Sequence, residues 1–338
     1  MNATRINRQN RALVLGASGG IGSEVARQLL DAGWQVRALR RGGAPGTAAA
    51  GAIDWVDGDA LSREAVVRAA QGCAVIVHAV NPPGYRRWAE VVLPMIDNTL
   101  AAAAAAAAVG ATVVLPGTIY NFGPDTFPVL REDSPQQPLT RKGAIRVELE
   151  RRMRAASEHG VRSIVVRAGD FFGPHVGNSW FAQGIVKRDE PVQVVRQPGT
   201  RGVGHAWSYV PDVARTMLEL IERRDTLPAC AVFHMAGHWD ADGSQFVEAI
   251  CRVARRHGLK PQSKPFAWAF MRAISPFVTT LRELMEMRYL WSEPLQLDNA
   301  RLVRELGREP HTPLDEAVEA TLMGLNCLGA DERAPKAA

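Results

Sequence analysis

The sequence predicts an α/β fold in which a doubly wound parallel sheet is followed by a smaller C-terminal lobe. In the first 170 residues, short apolar runs alternate with stretches of helical periodicity, as in chains that form a parallel sheet covered by helices. After residue 170 this alternation weakens, and Gly, Pro and aromatic residues become frequent. We therefore expect a first domain over 1–170, a lobe over 171–330 that returns some elements, such as 185–235, to the sheet, and a flexible tail over 331–338.

Six short apolar runs in the first domain are the predicted strands, namely Ala12–Leu15, Gln35–Leu39, Ile53–Val56, Ala74–Ala79, Thr112–Leu115 and Ser163–Arg167. Helices are expected between them, and the octet Ala101–Ala108 has maximal helix propensity. Two further helices are predicted later in the chain, at Val213–Arg223 and Ser244–His257. The segment Phe266–Leu290 carries Met and aromatic residues at helical spacing, which is typical of a buried core.

The composition is that of a globular chain, with 338 residues of which 46% are hydrophobic and 22% are charged. The 40 Lys and Arg residues exceed the 35 acidic residues by five. This excess lies entirely in residues 1–50, which hold seven Arg and two acidic residues. A nucleic-acid-binding surface needs basic residues clustered over a larger area, so we expect no nucleic-acid partner.

Three features of the sequence argue against a membrane span, a metal site and disulfide bonds. The most apolar run, Leu100–Val109, is shorter than the roughly 20 residues that a membrane span needs, so no membrane partner is expected. His205, His234 and His238 lack metal-ligand spacing near carboxylates, and we expect no metal. No cysteine pair has Cys-x-x-Cys spacing, which argues for reduced thiols and a cytoplasmic location. The four cysteines are Cys73, Cys230, Cys251 and Cys327.

A glycine-rich loop follows the first predicted strand. Gly16 permits a sharp turn, Gly19 permits close approach of a pyrophosphate to the backbone, and Gly22 permits tight packing of helix on strand. The helix that follows offers unpaired N–H groups and the positive end of its dipole to an anion. The alternative is an ordinary tight turn between strand and helix. The predicted cofactor-binding residues of this loop are Gly16, Ser18, Gly19, Gly20, Ile21 and Gly22.

Two arginines end the second predicted strand. An acidic residue at this position would bind the ribose 2′-hydroxyl of NAD. Here Arg40 and Arg41 stand instead, and their guanidinium groups suit a 2′-phosphate. The sequence therefore favours NADP over NAD, which remains an alternative. The competing interpretation is that both arginines are solvated loop residues.

Taken in chain order, these and further segments resemble the extended short-chain dehydrogenase/reductase superfamily, in its NAD(P)-dependent epimerase/dehydratase group. The segments that carry the resemblance are Gly16–Gly22, Gly58–Asp59, Val77–Val80, Asp97–Thr99, Arg167–Pro174, Trp207–Ala214, Leu306–Gly307 and Pro313–Leu314. The resemblance implies a Rossmann-type sheet, a substrate-binding role for the C-terminal lobe, a small-molecule substrate and pairing of two copies as a homodimer. It also implies cofactor contacts at Asp59, Ala60, His78, Ala79, Val80, Lys142 and Phe171.

The chain departs from this family at the catalytic motif, which is Tyr-x-x-x-Lys with an upstream Ser or Thr. If Glu150 matches the Glu of the family's helix, the Tyr position falls on Lys142 and the Lys position on Arg146. These positions are four residues apart and share one helix face. Lys142 beside a second cation could serve as acid or base, and Arg146 could hold ribose hydroxyls. The alternative is that both are solvated residues of the first helical turns.

The remaining site candidates follow from the same resemblance. The family's Ser falls on Pro116, so Thr118 is the nearest hydroxyl, unless it only caps a turn, and Tyr120 is a second candidate hydrogen-bond donor. The predicted substrate-facing residues are Asn81, Asp170, His175 and Asn178.

Two functions stay open at this point. The first is an NADP-dependent oxidoreductase, epimerase or dehydratase acting on a small carbonyl or hydroxyl substrate. The second is a catalytically inactive NADP-binding sensor or partner-binding protein on the same fold, which the loss of Tyr-x-x-x-Lys favours.

Overall fold

The computed structural model describes residues 10–42, 52–82, 88–106, 110–278, 282 and 285–329, so the predicted tail 331–338 lies outside the described residues. The chain folds into two compact units. The first unit comprises Met1–Gly169, Pro211–Ala236 and Leu297–Pro310. The second comprises Asp170–Val210, Gly237–Gln296 and His311–Ala338.

The described strands are β1 Arg11–Leu15, β2 Gln35–Arg40, β3 Ile53–Asp57, β4 Val75–His78, β5 Thr112–Gly117, β6 Val129–Leu130, β7 Ser163–Arg167, β8 Asp170–Phe172, β9 Val194–Gln197, β10 His205–Tyr209, β11 Cys230–His234, β12 His238–Asp240, β13 Gln262–Pro265 and β14 Gln296–Leu297. The described α-helices are α1 Gly20–Asp31, α2 Arg63–Ala70, α3 Trp88–Ala105, α4 Arg141–Ser157, α5 Val210–Glu222, α6 Gln245–Arg256, α7 Trp268–Ile274, α8 Ala300–Leu306 and α9 Leu314–Gly324. Shorter 3-10 turns cover Ile119–Asn121, Pro124–Thr126 and Met287–Trp291, and one π-helical turn covers Phe181–Ile185.

A seven-stranded sheet forms the centre of the first unit, in the order β11-β7-β5-β4-β1-β2-β3. Every neighbouring pair in it is parallel, which confirms the predicted Rossmann-type fold class. All six predicted strands belong to this sheet, and β11 adds a seventh at its edge. The β-branched residues of β1, β2, β4, β5, β7 and β11 are buried, as expected for a parallel sheet between helices, whereas Ile53 and Val56 of the edge strand β3 are half-buried.

The order of strands reverses beside β1, whose neighbours are β2 and β4. Leu15 pairs with Leu39 on one side and with His78 on the other, so the carboxyl ends of the three strands meet at one edge. Ligands of open α/β sheets bind at such a reversal. The fold therefore places the glycine loop, the end of β2 and the end of β4 around one crevice within the first unit.

One face of this sheet is covered by α2, α3 and α4. The shared core contains Leu13, Val66, Ile96, Leu115 and Leu149, none of them more than 2% exposed. Of the octet Ala101–Ala108, the residues through Ala105 form the last turns of α3, whereas 107 and 108 lie outside the described residues. The small side chains of this run let the helix approach the sheet closely, since Ala102 and Ala103 are fully buried.

The second unit has a three-stranded sheet in the order β12-β10-β8 and a two-stranded parallel sheet of β9 and β13. Its core is aromatic: Trp207 stacks on Phe246 with ring centroids 4.0 Å apart, and Phe172 contacts Phe181 and Phe246 at 6.0 and 5.0 Å.

The prediction that Phe266–Leu290 is core is wrong for Phe270 and Phe277, although Trp268 packs against the core of the second unit. Met287 and Leu290 are buried, but α7 buries no residue, and Phe270 and Phe277 are 64% and 86% exposed. Helical spacing identifies a shared face, but it does not determine whether that face meets the rest of the chain.

Among the described helices, none combines the length and the apolar character that crossing a lipid bilayer requires.

Candidate cofactor and active site

The glycine loop has the geometry of an anion-binding turn. Gly16 has φ +89°, and a Cβ there would lie 2.5 Å from the carbonyl oxygen of Ala79. A Cβ on Gly22 would lie 2.2 Å from the carbonyl oxygen of Gly16, so only glycine lets α1 start this close to β1. Gly19 is the N-cap of α1 and provides no side chain to bond the first N–H groups. These donors and the helix dipole suit a pyrophosphate.

The other residues predicted for this loop lie around the same turn. Ser18 and Gly19 are exposed, whereas Gly20 and Ile21 are half-buried at the start of α1. The Gly19 N–H donates to the Gly16 carbonyl over 2.9 Å, which closes the turn. The loop therefore presents backbone, and not bulky side chains, to the crevice.

The ends of β3 and β4 complete the sides of this crevice. The Ala79 N–H donates to the Leu15 carbonyl over 2.9 Å, so Ala79 and the following Val80 continue beside the glycine loop. After β3, the carboxylate of Asp59 accepts from the Leu61 N–H over 2.9 Å. The Ala60 carbonyl accepts from the Asn98 side chain over 3.0 Å, which ties this turn to α3.

His78 is buried at the end of β4 and is neutral. Burial, together with the charge of Arg146, lowers its pKa from 6.5 to about 3. Its Nδ1 lies 2.8 Å from the hydroxyl oxygen of Thr99, and that hydroxyl donates to the Met95 carbonyl over 2.9 Å. Since the hydroxyl proton is used there, Nδ1–H is the donor to Thr99. The ring is thereby fixed in one tautomer.

Arg40 and Arg41 differ in their surroundings. The Arg40 guanidinium lies over the Trp55 ring at 5.5 Å, and its Nε is 3.7 Å from an Asp57 carboxylate oxygen. That Nε is buried without a hydrogen-bond partner among the described residues. Arg41 is exposed. The end of β2 thus offers one arginine whose Nε has no hydrogen bond among the described residues and one that is exposed, while Asp57 competes for the first.

Thr118 and Tyr120 follow β5. The Thr118 hydroxyl donates to the side-chain oxygen of Asn121 over 3.1 Å, within the 3-10 turn that contains half-buried Tyr120. A Cβ on Gly143 would lie 2.1 Å from the Tyr120 carbonyl oxygen, so glycine at this position lets α4 pack directly on the turn. The structure therefore brings the end of β5 against the first turn of α4.

The first turns of α4 carry the altered motif. Thr140 caps the helix by accepting from the Gly143 N–H over 3.1 Å. Lys142 and Arg146 are only 3% and 8% exposed, so neither is a solvated surface residue. Arg146 donates to the Asn81 side chain over 3.2 Å and lies over the Trp88 ring at 4.9 Å. Both cations thus lie buried on one face of a helix beside the ends of β4 and β5.

A buried polar network, which the sequence interpretation missed as a site, holds this region together. Arg167, 1% exposed, donates to Glu150 over 2.7 Å, to the Thr118 carbonyl and, through Nε, to His234 over 3.2 Å. Glu150 also accepts from Asn121 over 2.9 Å and from Gln136 over 2.8 Å. The sequence signal for this network is Arg167 at the end of β7, a strand whose residues are all buried. A buried arginine requires an acidic partner.

His234 is the neutral end of this network. Burial, together with the charge of Arg167, lowers its pKa from 6.5 to about 3. Its Nδ1 faces the Leu130 carbonyl at 3.3 Å and its Nε2 accepts from Arg167. The two contacts are compatible only with the Nδ1–H tautomer.

Four of the candidate residues belong to the second unit. Asp170 accepts from His205 Nε2 over 2.8 Å, and the His205 ring stacks on Trp291 at 4.0 Å. Phe171 is half-buried beside it in β8. His175 and Asn178 are exposed, and the Asn178 side chain accepts from Gln183 over 3.1 Å.

Asp170 also influences a tyrosine that the sequence interpretation did not select. Burial, together with the charge of Asp170, raises the pKa of Tyr289 above its usual range, so its phenol stays protonated.

Comparison with known proteins agrees with this geometry. The model of the NAD dependent epimerase/dehydratase family matches residues 12–236, well over half of the chain. No curated protein matches. Among solved structures, MoeE5 in complex with UDP-glucose and NAD is 20% identical and has a TM-score of 0.68, over 93% of this chain and 98% of that one.

Two further solved structures have the same fold at low identity. UDP-glucose 4-epimerase from Thermotoga maritima, with UDP-glucose, is 16% identical with a TM-score of 0.68, over 93% of this chain and 98% of that one. The dTDP-glucose 4,6-dehydratase DesIV from Streptomyces venezuelae, with NAD bound, is 18% identical with a TM-score of 0.67, over 93% and 96% of the chains. With the sheet order, the glycine loop and the family match in agreement, the chain belongs to the NAD-dependent epimerase/dehydratase family.

Proposed function

We propose that the chain is an NADP-dependent enzyme of the oxidoreductase, epimerase or dehydratase type, acting on a small carbonyl or hydroxyl substrate. In this proposal Lys142 and Arg146 act in place of the family's Tyr and Lys. The observation that carries it is the burial of both cations on one face of α4, at 3% and 8% exposure.

Stability alone does not favour this arrangement. Lys142 lies in the first turn of α4, at the positive end of the helix dipole, where a cation is unfavourable and where the helix has no acidic residue. Burial adds a desolvation cost to each charge. The burial of Lys142 and Arg146 in the first turns of α4, despite this cost, supports a role for them in binding an electron-rich ligand.

The residues present fit a dinucleotide. The Gly19 turn leaves the first N–H groups of α1 without a side-chain cap, and the buried Nε of Arg40 has no hydrogen-bond partner among the described residues, although an Asp57 oxygen lies 3.7 Å away. When bound, a nicotinamide cofactor supplies the hydride chemistry. The chain's own residues would do the rest: the first N–H groups of α1 bind the pyrophosphate, Arg146 orients ribose hydroxyls, and Lys142 Nζ holds or moves a proton.

The preference for NADP rests on the end of β2. Arg40 and Arg41 supply two guanidinium groups where a 2′-phosphate would lie, and Arg41 is exposed. Asp57 lies 3.7 Å from Arg40 and would compete for it, so Arg41 carries much of the preference.

A second function, an NADP-binding sensor without turnover, is favoured by one observation. Arg146 already donates to Asn81 and lies over Trp88, which immobilises its guanidinium before any substrate arrives. In that case Lys142 and Arg146 only hold the cofactor.

Replacement of Lys142 separates the two functions. We expect Lys142→Met to abolish turnover while NADPH still binds, because the glycine loop and the end of β2 are unchanged. The assay follows NADPH oxidation and NADP⁺ reduction with a panel of aldehydes, alcohols and nucleotide sugars, and NADPH binding is measured by fluorescence titration. Arg141→Met is the matched control, since Arg141 lies in the same turn but is exposed.

Full turnover in Lys142→Met would contradict the proposed role of Lys142. A wild-type protein that binds NADPH and turns over no member of the panel would favour the sensor.

A further inference from the structure

An exposed apolar ridge lies on the second unit and has no role in the site described above. It consists of Phe270, Ile274, Phe277 and Val278, which follow one another at helical spacing along α7 and the turn after it. Phe270, Phe277 and Val278 are 64%, 86% and 41% exposed. A Phe side chain that is exposed to this degree contributes little hydrophobic free energy to folding, so its burial by a partner would be favourable. A contiguous exposed apolar patch of this kind is typical of an interaction surface.

The opposite face of α7 holds the ridge in place. The Trp268 indole donates to the Pro198 carbonyl over 2.7 Å. Its ring also packs against Phe266 and Trp180, with centroid distances of 4.8 and 5.8 Å. The ridge is therefore presented outward by an anchored helix.

The chain around the ridge is strongly basic. From residue 249 to residue 290 there are eight Lys and Arg residues against two Glu. Two of them, Arg252 and Arg256, pair with Asp315. Lys260, Lys264 and Arg272 are exposed, and none has an acidic partner at ion-pair distance within the part of the chain that the structure describes.

A second observation points to an anion outside the chain. Lys264 on β13 lies directly opposite Arg196 on β9 in the strand register, and both are exposed. Like charges on neighbouring strands repel each other, so a negatively charged surface placed against Lys264 and Arg196 would stabilise this pair.

We propose that the ridge docks on an anionic lipid surface, with Phe270 and Phe277 inserted at the headgroup boundary and Lys264 and Arg196 facing the headgroups. Aromatic residues on a short amphipathic helix with flanking cations are the chemistry of interfacial attachment. Such attachment needs no membrane-spanning run, and the expectation of no membrane partner rests only on the lack of such a run. A second copy of the chain fits less well, because a twofold contact would place the same cluster of cations on both sides of the interface.

Vesicle co-sedimentation tests the proposal with the full chain. We expect the wild-type protein to sediment with vesicles of phosphatidylcholine containing about one-third phosphatidylglycerol, and much less with phosphatidylcholine alone. Raising the salt concentration should release it, since headgroup attraction is screened. Phe270→Ser/Phe277→Ser should lower binding by roughly tenfold or more, and Lys264→Gln/Arg196→Gln by a similar factor.

Two matched controls keep the test specific. Met323→Ser removes an apolar side chain of the same unit that is 61% exposed, and Arg304→Gln removes an exposed cation on α8. Both should bind like the wild type, and circular dichroism should show that all variants are folded.

Three outcomes would overturn the proposal. The first is no sedimentation of the wild type with anionic vesicles, and the second is unchanged binding of the Phe270→Ser/Phe277→Ser variant. The third is a concentration-dependent dimer, seen by analytical ultracentrifugation, that the same variant abolishes.

Discussion

Replacing Glu150 by Gln should destabilise the protein far more than an equal change two residues earlier. Three donors, from Arg167, Asn121 and Gln136, converge on the two oxygens of Glu150 within 2.7–2.9 Å. Glutamine keeps the shape but leaves one acceptor oxygen and places an NH₂ group against these donors. Arg167 then remains as a buried, uncompensated charge, since its side chain is 1% exposed.

Removing one partner of such a buried pair costs about 3–5 kcal/mol. Glu148→Gln is the matched control on the same helix. Its partners are Arg151 and Arg152, and Arg151 is 65% exposed. Those partners lower the pKa of Glu148 to about 2. Exposed ion pairs of this kind nevertheless contribute only about 1 kcal/mol or less to the free energy of unfolding.

Urea denaturation followed by circular dichroism gives the free energy of unfolding of each variant. We expect a difference of roughly 2–4 kcal/mol between Glu150→Gln and Glu148→Gln. If the free energies of unfolding of the two variants differ by less than about 1 kcal/mol, the Glu150→Gln substitution does not leave Arg167 as a costly uncompensated charge, and the reasoning is wrong.

The remaining predictions concern the glycine loop and acid stability. Gly22→Ala should abolish binding of NADPH and NADH in fluorescence titrations because its Cβ would lie 2.2 Å from the Gly16 carbonyl oxygen, whereas Ser23→Ala should bind as the wild type does. Burial holds the pKa values of His78, His234 and His238 at about 3, 3 and 4, while the unfolded chain titrates near 6.5. The unfolded state therefore takes up more protons as the pH falls below 6.5, and the free energy of unfolding should drop by about 1 kcal/mol per histidine between pH 6 and 5. Urea midpoints that do not change over this interval would contradict the neutral, buried assignment.

The sheet and the glycine loop could be predicted because their signals are local. Each strand is a short apolar run, and Gly16, Gly19 and Gly22 stand where the first strand meets the first helix. The altered motif at Lys142 and Arg146 could also be located, because four residues along a helix define one face.

The rest depends on contacts between distant segments. Glu150, Arg167 and His234 meet only because β7 lies beside β11 and α4 packs across the sheet, so no spacing in the sequence reveals their network. The contact of Arg40 with Asp57 is likewise set by the register of β2 on β3. The exposure of Phe270 could not be predicted either, because an apolar stripe identifies one face of a helix but not whether another part of the chain covers that face.

The most direct test of the account is the affinity of the wild-type protein for NADPH against NADH, measured by isothermal titration. A charge-assisted contact from Arg41, with Arg40 partly engaged by Asp57, predicts that NADPH binds about tenfold more tightly or better. NADPH should accordingly raise the melting temperature more than NADH does. Arg40→Gln/Arg41→Gln should remove the difference by weakening NADPH alone. Equal affinities in the wild type, or no binding of either nucleotide, would contradict the central claim.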